Sequence, residues 1–249
     1  MIDWRIHHKA ETVSTNLDAR EGVHGDVFTA DYQTAGRGRL DHKWLSPPGT
    51  NLMMSVVLSV EGLAPEQVAT LPLVVGLATI RALQGFVAGE KDLRHKTGDL
   101  KLKWPNDILF DGKKLAGILC ERNGDNVIAG IGVNVGQTEF DKEIAARATS
   151  LALVLPARVS GLPSPVLSVR SAILCELDRW YSRWRSDGFA AVHPEIAAVD
   201  LLRGRTVSVR QTDSDSSPMT GASNGIMPDG SLDVGGVKVY AGDAHIENY

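Results

Sequence analysis

The sequence predicts an α+β fold that ends in a small all-β module. Three observations carry that prediction. Leu73, Leu77, Ile80, Leu83 and Phe86 recur at helical spacing, as do Val166, Val169, Ile173, Leu177, Trp180 and Trp184. Between the helical stretches lie apolar or alternating runs of strand length, such as NLMMSVVLS and LKLKW. Beyond Gly204, short strand-like segments are separated by tight turns, Pro228-Asp229-Gly230 and Gly235-Gly236.

In chain order, Ser14-Thr15-Asn16 precedes a short helical pattern at 17–21. Ser14 or Thr15 would serve there as an N-cap whose hydroxyl satisfies an orphan amide. The functional alternative is that these groups bind a polar ligand ring. Residues 27–32 read as a strand that runs into Gln33-Thr34-Ala35-Gly36-Arg37-Gly38-Arg39, with Trp44 following. Gly36 and Gly38 let the backbone turn tightly and approach a ligand. Arg37 and Arg39 can form forked, charge-assisted hydrogen bonds to a carboxylate or phosphate. Lys43 adds another cation against the single anion Asp41. A cationic loop ending in an aromatic suits an anionic nucleotide intermediate, although alone such a turn is more often a solvated loop. It is not a dinucleotide fingerprint, because Asp41 stands at the third glycine's place and no βαβ spacing supports it.

Ser46-Pro47-Pro48-Gly49 is a turn, and 51–59 is a strand buried on at least one face. A core helix over 65–87 follows, with Pro72 in its first turn or at a kink. Residues 100–104 alternate as a strand with Lys101 and Lys103 on one face, and Pro105 ends its ladder. Asn106-Asp107 then stand at a strand end, where they can hold Mg²⁺ or position polar substrate groups. Mg²⁺ favours one or two carboxylates plus phosphate oxygens; the plainer reading is an Asx turn beside exposed lysines. Asp111-Gly112 predicts a hairpin turn. Lys113-Lys114 open a strand over 115–122 with Gly117 inside it, and 129–135 is a second glycine-bearing strand. Such glycines mark close approach by a ligand or by a packed helix. Helices are expected over 162–186 and 189–199. The boundary at Leu201-Leu202-Arg203-Gly204 divides 1–202 from 203–249. Strands at 206–210, 225–227, 231–234, 237–240 and 244–247 would make a small β-barrel, with a polar loop at 213–217.

Bulk properties exclude several classes. The 249 residues are 43% hydrophobic and 22% charged, as in an ordinary globular protein. A net charge of -4 argues against nucleic acid as a whole-surface partner, so anion recognition must be local. Cys120 and Cys175 show no metal-ligand or disulfide pattern, which fits a reducing compartment. The N-terminal stretch has no apolar signal core, and no apolar run reaches the roughly 20 residues that span a bilayer, so a cytoplasmic protein without membrane contact is expected. The G-x-S-x-G string at Gly221–Gly225 lacks the strand-to-helix setting of a nucleophile elbow. No P-loop or HExxH is present, and the seven histidines show no ligand spacing.

Taken together, Ser14-Thr15-Asn16, the Gln33–Arg39 loop with Trp44, Lys103-Trp104-Pro105-Asn106-Asp107, Lys114-Leu115-Ala116-Gly117-Ile118-Leu119 and Gly130-Ile131-Gly132-Val133-Asn134-Val135 resemble the biotin protein ligases. Ala148-Thr149-Ser150-Leu151 and the glycine-punctuated C-terminal strands fit as well, so the resemblance covers nearly the whole chain. It implies a class II synthetase-like catalytic domain, a mixed β-sheet packed with helices, followed by a small C-terminal β-barrel. It implies ATP and biotin as substrates with Mg²⁺, no tightly bound prosthetic group, and a biotin carboxyl carrier protein or domain as acceptor. Biotin would be activated as biotinyl-5′-AMP and passed to a carrier lysine. Lys114 would sit at the reacting carboxylate and α-phosphate. Arg37 and Arg39 would lie over the intermediate, and Trp44 near the adenine. Ser14, Thr15, Asn16, Gln33 and Gly36, with Arg37 and Gly117, would bind biotin. Lys103, Asn106 and Asp107 would face phosphates and metal, Asn134 the ribose or adenine, and Gly130 and Gly132 would let the ligand approach. Leu40-Asp41-His42 departs from the more basic, glycine-containing spacing expected after Arg39. Only 13 residues precede Ser14, so the monofunctional type without a DNA-binding domain is expected. Monomer or homodimer is left open, as is the acceptor. The rival readings are a lipoate protein ligase, with different motifs around its lysine, and a non-catalytic sensor of biotinyl-AMP.

Overall fold

The computed structural model describes residues 1–40, 42–87, 100–210 and 217–247. Asp41 lies outside them, as does the polar loop apart from Ser217. The described residues form two sheets. The larger contains β1 (Arg5–Thr12), β2 (Asp26–Gln33), β3 (Leu52–Ser59), β4 (Leu100–Lys103), β5 (Asp107–Phe110), β6 (Lys113–Asn123) and β7 (Asn126–Val133). Its order is β1-β2-β3-β7-β6-β5-β4, with β1 and β2 parallel and every other pair antiparallel. The expected mixed sheet is therefore present.

Two strands were not anticipated. β1 reads RIHHKAET, with seven of its eight residues exposed, so it carries no apolar alternation. It is held by the parallel ladder to β2 and by Asp26, which accepts from Arg5 Nε at 2.8 Å. β5 is only four residues long and hides between the Asn106-Asp107 motif and the hairpin. At that hairpin Asp111 and Gly112 both have positive φ, 48° and 75°, as the two-residue turn requires.

α1 (Thr15–Asp18) and a 3₁₀ turn (Ala19–Glu21) follow β1. α2 (Pro65–Val68) and α3 (Leu71–Val87) follow β3, so the helix expected over 65–87 is split after Val68. By length and composition Pro65–Val87 could cross a membrane, but 72% of its most apolar window is buried, as befits a core helix. α4 (Leu151–Val154) and α5 (Pro156–Ser160) are single turns, and α6 (Pro165–Asp187) and α7 (Phe189–Val199) are the other long helices. α3 packs on α6 and α7 against one face of the sheet. Leu77, Ile80, Leu83, Leu177 and Trp184 are fully buried there. Each such side chain contributes roughly 1.5–3 kcal/mol through burial.

The alternation of strand side chains decides what the other face does. On β3, Leu52, Met54, Val56 and Leu58 join the main core, whereas Val57 packs on the opposite side with Ala19 and Ile128. On β7, Val127, Ala129, Ile131 and Val133 point into the core. Gly130 and Gly132 therefore face the open side, opposite their β6 partners Leu119 and Gly117. An apolar helix layer fixes the sheet, and on its far face Gly117, Gly130 and Gly132 leave room beside Val57, Ile128 and Leu119.

The C-terminal strands β8 (Thr206–Arg210), β9 (Met219–Ile226), β10 (Leu232–Val234), β11 (Val237–Val239) and β12 (Asp243–Ile246) make a second, antiparallel sheet in the order β11-β10-β9-β8-β12. β9 is longer than expected, because its first half, MTGAS, is exposed in alternation and carries little apolar signal. Asp200 joins the two parts by accepting from Leu202 N at 2.9 Å and Ile226 N at 2.8 Å. Burial pushes the Asp200 carboxyl above its ordinary value, against those amides and Arg203. Trp104 Nε1 donates to Gly230 O at 3.2 Å.

Candidate active site

A cavity of about 740 Å³ opens on the far face of the large sheet, a size typical of small-molecule sites. It gathers side chains that are far apart in sequence. Ser14, Thr15, Asn16, Gln33, Arg37, Arg39, Trp44, Lys103, Asn106, Asp107, Lys114 and Asn134 all line it, with the backbones of Gly117, Gly130 and Gly132. Gly36 is the one expected residue set behind the lining. Its carbonyl accepts from Trp44 N at 3.0 Å, and a Cβ there would come within 2.3 Å of Trp44 O.

One end of the cavity is buried and polar. Ser14, Thr15 and Asn16 are 2–4% exposed. Ser14 holds the N-cap position of α1, but its side chain makes no cap hydrogen bond. Gln33 Oε1 instead accepts from Thr15 N at 2.8 Å and from Thr15 Oγ1 at 3.1 Å. Ser55 Oγ lies 2.7 Å from Thr15 Oγ1 and 2.6 Å from Asn16 Oδ1. Ser55 and Thr15 have one hydroxyl proton each, whereas Asn16 Oδ1 and Gln33 Oε1 can only accept. The cluster is therefore rich in lone pairs that ligand N–H groups could use. Gly130 is required here, since a Cβ would lie 2.4 Å from Asn16 Oδ1.

The middle is floored by Trp44. Its indole lies on the Gly132 and Gly117 backbones, where added Cβ atoms would sit 2.5 Å and 3.2 Å from the ring. These glycines thus admit the tryptophan as well as any ligand. Trp44 Nε1 is buried with no hydrogen-bond partner among the described residues.

The other end is ionic. Lys114 Nζ stands 2.7 Å from Asp107 Oδ1 and 5.8 Å from the centre of the Trp44 ring. Lys114 is fixed by its own backbone, whose N–H donates to Arg147 O at 2.7 Å. Arg39 Nη1 donates to Gly242 O at 3.2 Å and approaches Asn106 Oδ1 at 3.5 Å. Burial lowers the Arg39 pKa, and the Asp243 and Asp107 carboxylates oppose that shift. Lys103 Nζ lies 3.9 Å from Asp243 Oδ1. Asn134 Nδ2 donates to Thr149 O at 3.0 Å, tying β7 to the segment before α4. Burial, reinforced by Glu121, pushes the Cys120 thiol up to about 12, so it is no nucleophile at neutral pH.

Sequence reasoning missed Ser55, Glu121 and Asp243. Ser55 is the one polar residue inside the apolar run LMMSVVL, which could have flagged it. Glu121 follows Gly117 and Leu119 at period 2 and so shares their face. Asp243 enters from β12, and no local signal ties it to the cavity. Among the described residues no group of three His, Cys, Asp or Glu could hold a metal ion. A Mg²⁺ caged by protein ligands does not fit, whereas one held mainly by phosphate oxygens, with Asp107 as a single carboxylate, does.

Residues 5–137, more than half of the chain, match the biotin/lipoate A/B protein ligase family. The chain belongs to that family. A biotin–[acetyl-CoA-carboxylase] ligase of Mycobacterium tuberculosis is 34% identical, over 96% of this chain and 88% of that one. The bifunctional ligase/repressor BirA of Bacillus subtilis is 32% identical over 71% of this chain, an alignment that spans 51% of the relative's length. Among solved structures, biotin protein ligase from Aquifex aeolicus in complex with biotin and ATP superposes with a TM-score of 0.79 at 28% identity, over 98% of each chain. The Leishmania major enzyme in complex with biotinyl-5-AMP does so with a TM-score of 0.65 at 27% identity, over 98% and 99%. The family's mixed sheet and helices are those described above.

Proposed function

We propose that this protein is a biotin protein ligase. It activates biotin with ATP as biotinyl-5′-AMP and transfers it to a lysine of a biotin carboxyl carrier protein or domain. The observation that carries this reading is the meeting, in one cavity, of a buried acceptor-rich end and the Lys114–Asp107 pair. The first end suits the N–H groups of a ureido ring, and the second suits a carboxylate meeting a phosphate.

In the first step a biotin carboxylate oxygen attacks the α-phosphorus, and pyrophosphate leaves. Two anions must approach, so catalysis is mainly positioning and electrostatic stabilisation. Lys114 neutralises the carboxylate and α-phosphate, exchanging its contact with Asp107 for the developing charge. Lys103 and Asn106 face the phosphates. Asp107 would be the protein ligand of Mg²⁺, which would supply positive charge to offset that of the phosphates. In the second step the carrier's lysine amine attacks the activated carbonyl, forms an amide and releases AMP. Arg37 and Arg39 cover the intermediate until then, while Trp44 packs beside the adenine. Ser14, Thr15, Asn16 and Gln33 hold the ureido ring, and Asn134 borders the ribose. We assign residues 1–202 to the catalytic domain and 203–249 to a small appended domain that reaches the site through Gly242 and Asp243. We further propose a cytoplasmic protein with no nucleic-acid or membrane partner.

The test is transfer. Purified protein, ATP and a carrier domain should give biotin on the target lysine by mass spectrometry. Lipoate with its own carrier should give none. Lipoylation without biotinylation would overturn the substrate assignment.

A further inference from the structure

Glu121 has no part in the chemistry above. It stands on β6 on the same face as Gly117 and Leu119, and its two carboxylate oxygens are divided between two separate segments. Oε2 accepts from Asn16 Nδ2 at 2.6 Å, and Oε1 pairs with Arg37 Nη1 at 3.0 Å. Asn16 is 4% exposed, and its other end receives Ser55 Oγ at 2.6 Å. The Asn16 amide is therefore held at both ends, and a flip would set its Oδ1 against the Glu121 carboxylate, acceptor against acceptor. Arg37 opens the glycine/arginine loop. The loop's own bonds, Gly38 N to His42 O at 2.7 Å and Trp44 N to Gly36 O at 3.0 Å, join the loop to itself. The Glu121 contact joins it to the sheet.

We propose that Glu121 is a positioning residue that couples the buried end of the cavity to the glycine/arginine loop. One carboxylate orients the Asn16 amide for the ring of the substrate and docks Arg37 before any ligand arrives. An ordinary half-exposed ion pair would not reach a nearly buried amide, and that contact separates the two accounts. The inference rests on the biotin ligase reading above.

The two oxygens can be tested separately. Glu121→Gln keeps an oxygen for Asn16 but turns a donor toward Arg37. Glu121→Leu removes both contacts. Biotin-dependent pyrophosphate exchange gives KM and kcat, and rapid filtration of preformed biotinyl-adenylate gives its release rate. Glu121→Gln should speed release by about tenfold, as the loss of one charge-assisted hydrogen bond implies, and raise the biotin KM by about twofold. Glu121→Leu should raise KM by about tenfold as well, with kcat at saturating biotin moving far less than KM. Asn16→Ala with Glu121→Leu should raise KM no further than Asn16→Ala alone. Should Glu121→Leu fail to fold by circular dichroism, the Gln variant decides alone. An active wild type with both variants matching it, or with KM and release changing equally in both, overturns the coupling. A wild type without exchange overturns the ligase reading and this inference with it.

Discussion

Replacing Gly132 by alanine tests how the cavity floor works. An added Cβ would lie 2.5 Å from Trp44 Cε2, 2.7 Å from Cζ2 and 3.0 Å from Cδ2, where ordinary contact begins near 3.4 Å. The indole must therefore retreat by about 1 Å. Gly132 pairs with both Met53 and Gly117 in the middle of the sheet, so the strand cannot move instead. Such overpacking typically costs about 1–3 kcal/mol. Because Trp44 belongs to a loop, that strain is relieved by lifting the ring off the floor, not by unfolding. Gly132→Ala should thus weaken binding of biotinyl-adenylate by roughly 5- to 150-fold while shifting global stability by less than about 1 kcal/mol. Isothermal titration of biotinyl-adenylate and chemical denaturation read the two quantities. The decisive arm is a double-mutant cycle with Trp44→Ala, which removes the atoms struck. In that background Gly132→Ala should have little further effect on binding. An undiminished penalty there would refute the collision as the cause.

Two further expectations follow from the ionic groups. Arg39→Ala removes the contacts to Gly242 and Asn106 and should release biotinyl-adenylate about tenfold faster, seen as nonspecific labelling of bystander lysines; release at the wild-type rate contradicts its retaining role. Burial pushes the Asp26 carboxyl up, but the Val23 amide, His7 and Arg5 more than offset this and hold it below its ordinary value. A depressed carboxyl stabilises the fold above its unfolded pKa, and that contribution is lost as pH falls through the folded value. Melting temperature should therefore drop more steeply below about pH 4 in the wild type than in Asp26→Asn, and parallel profiles would contradict the clasp on β1.

Much of this candidate site is legible in the sequence. α6 is legible because it buries one face, so Val169, Ile173, Leu177, Trp180 and Trp184 repeat every three or four residues, whereas α3 is buried on most sides and shows as a long apolar run. The glycine/arginine loop, the Lys114 strand and the Gly130/Gly132 strand were legible because each needs residue types that packing alone does not demand. What escaped has a physical reason. β1 is an exposed edge whose stability comes from backbone pairing, so its side chains carry no pattern. Gly132 in sequence suggests room for a ligand, and only three dimensions reveal that Trp44 lies there. Asp243 and Glu121 act across separations of 140 and 84 residues from Lys103 and Arg37, which no local spacing reports.

The central claim is that Lys114 serves adenylation of biotin. The most direct measurement is biotin-dependent exchange of labelled pyrophosphate into ATP, with lipoate as control and Lys114→Ala alongside. Exchange should occur with biotin and not lipoate. It should fall by roughly 150- to 850-fold in the variant, the equivalent of about 3–4 kcal/mol of lost charge stabilisation. Biotin binding without exchange in the wild type, or full exchange in Lys114→Ala, would contradict it.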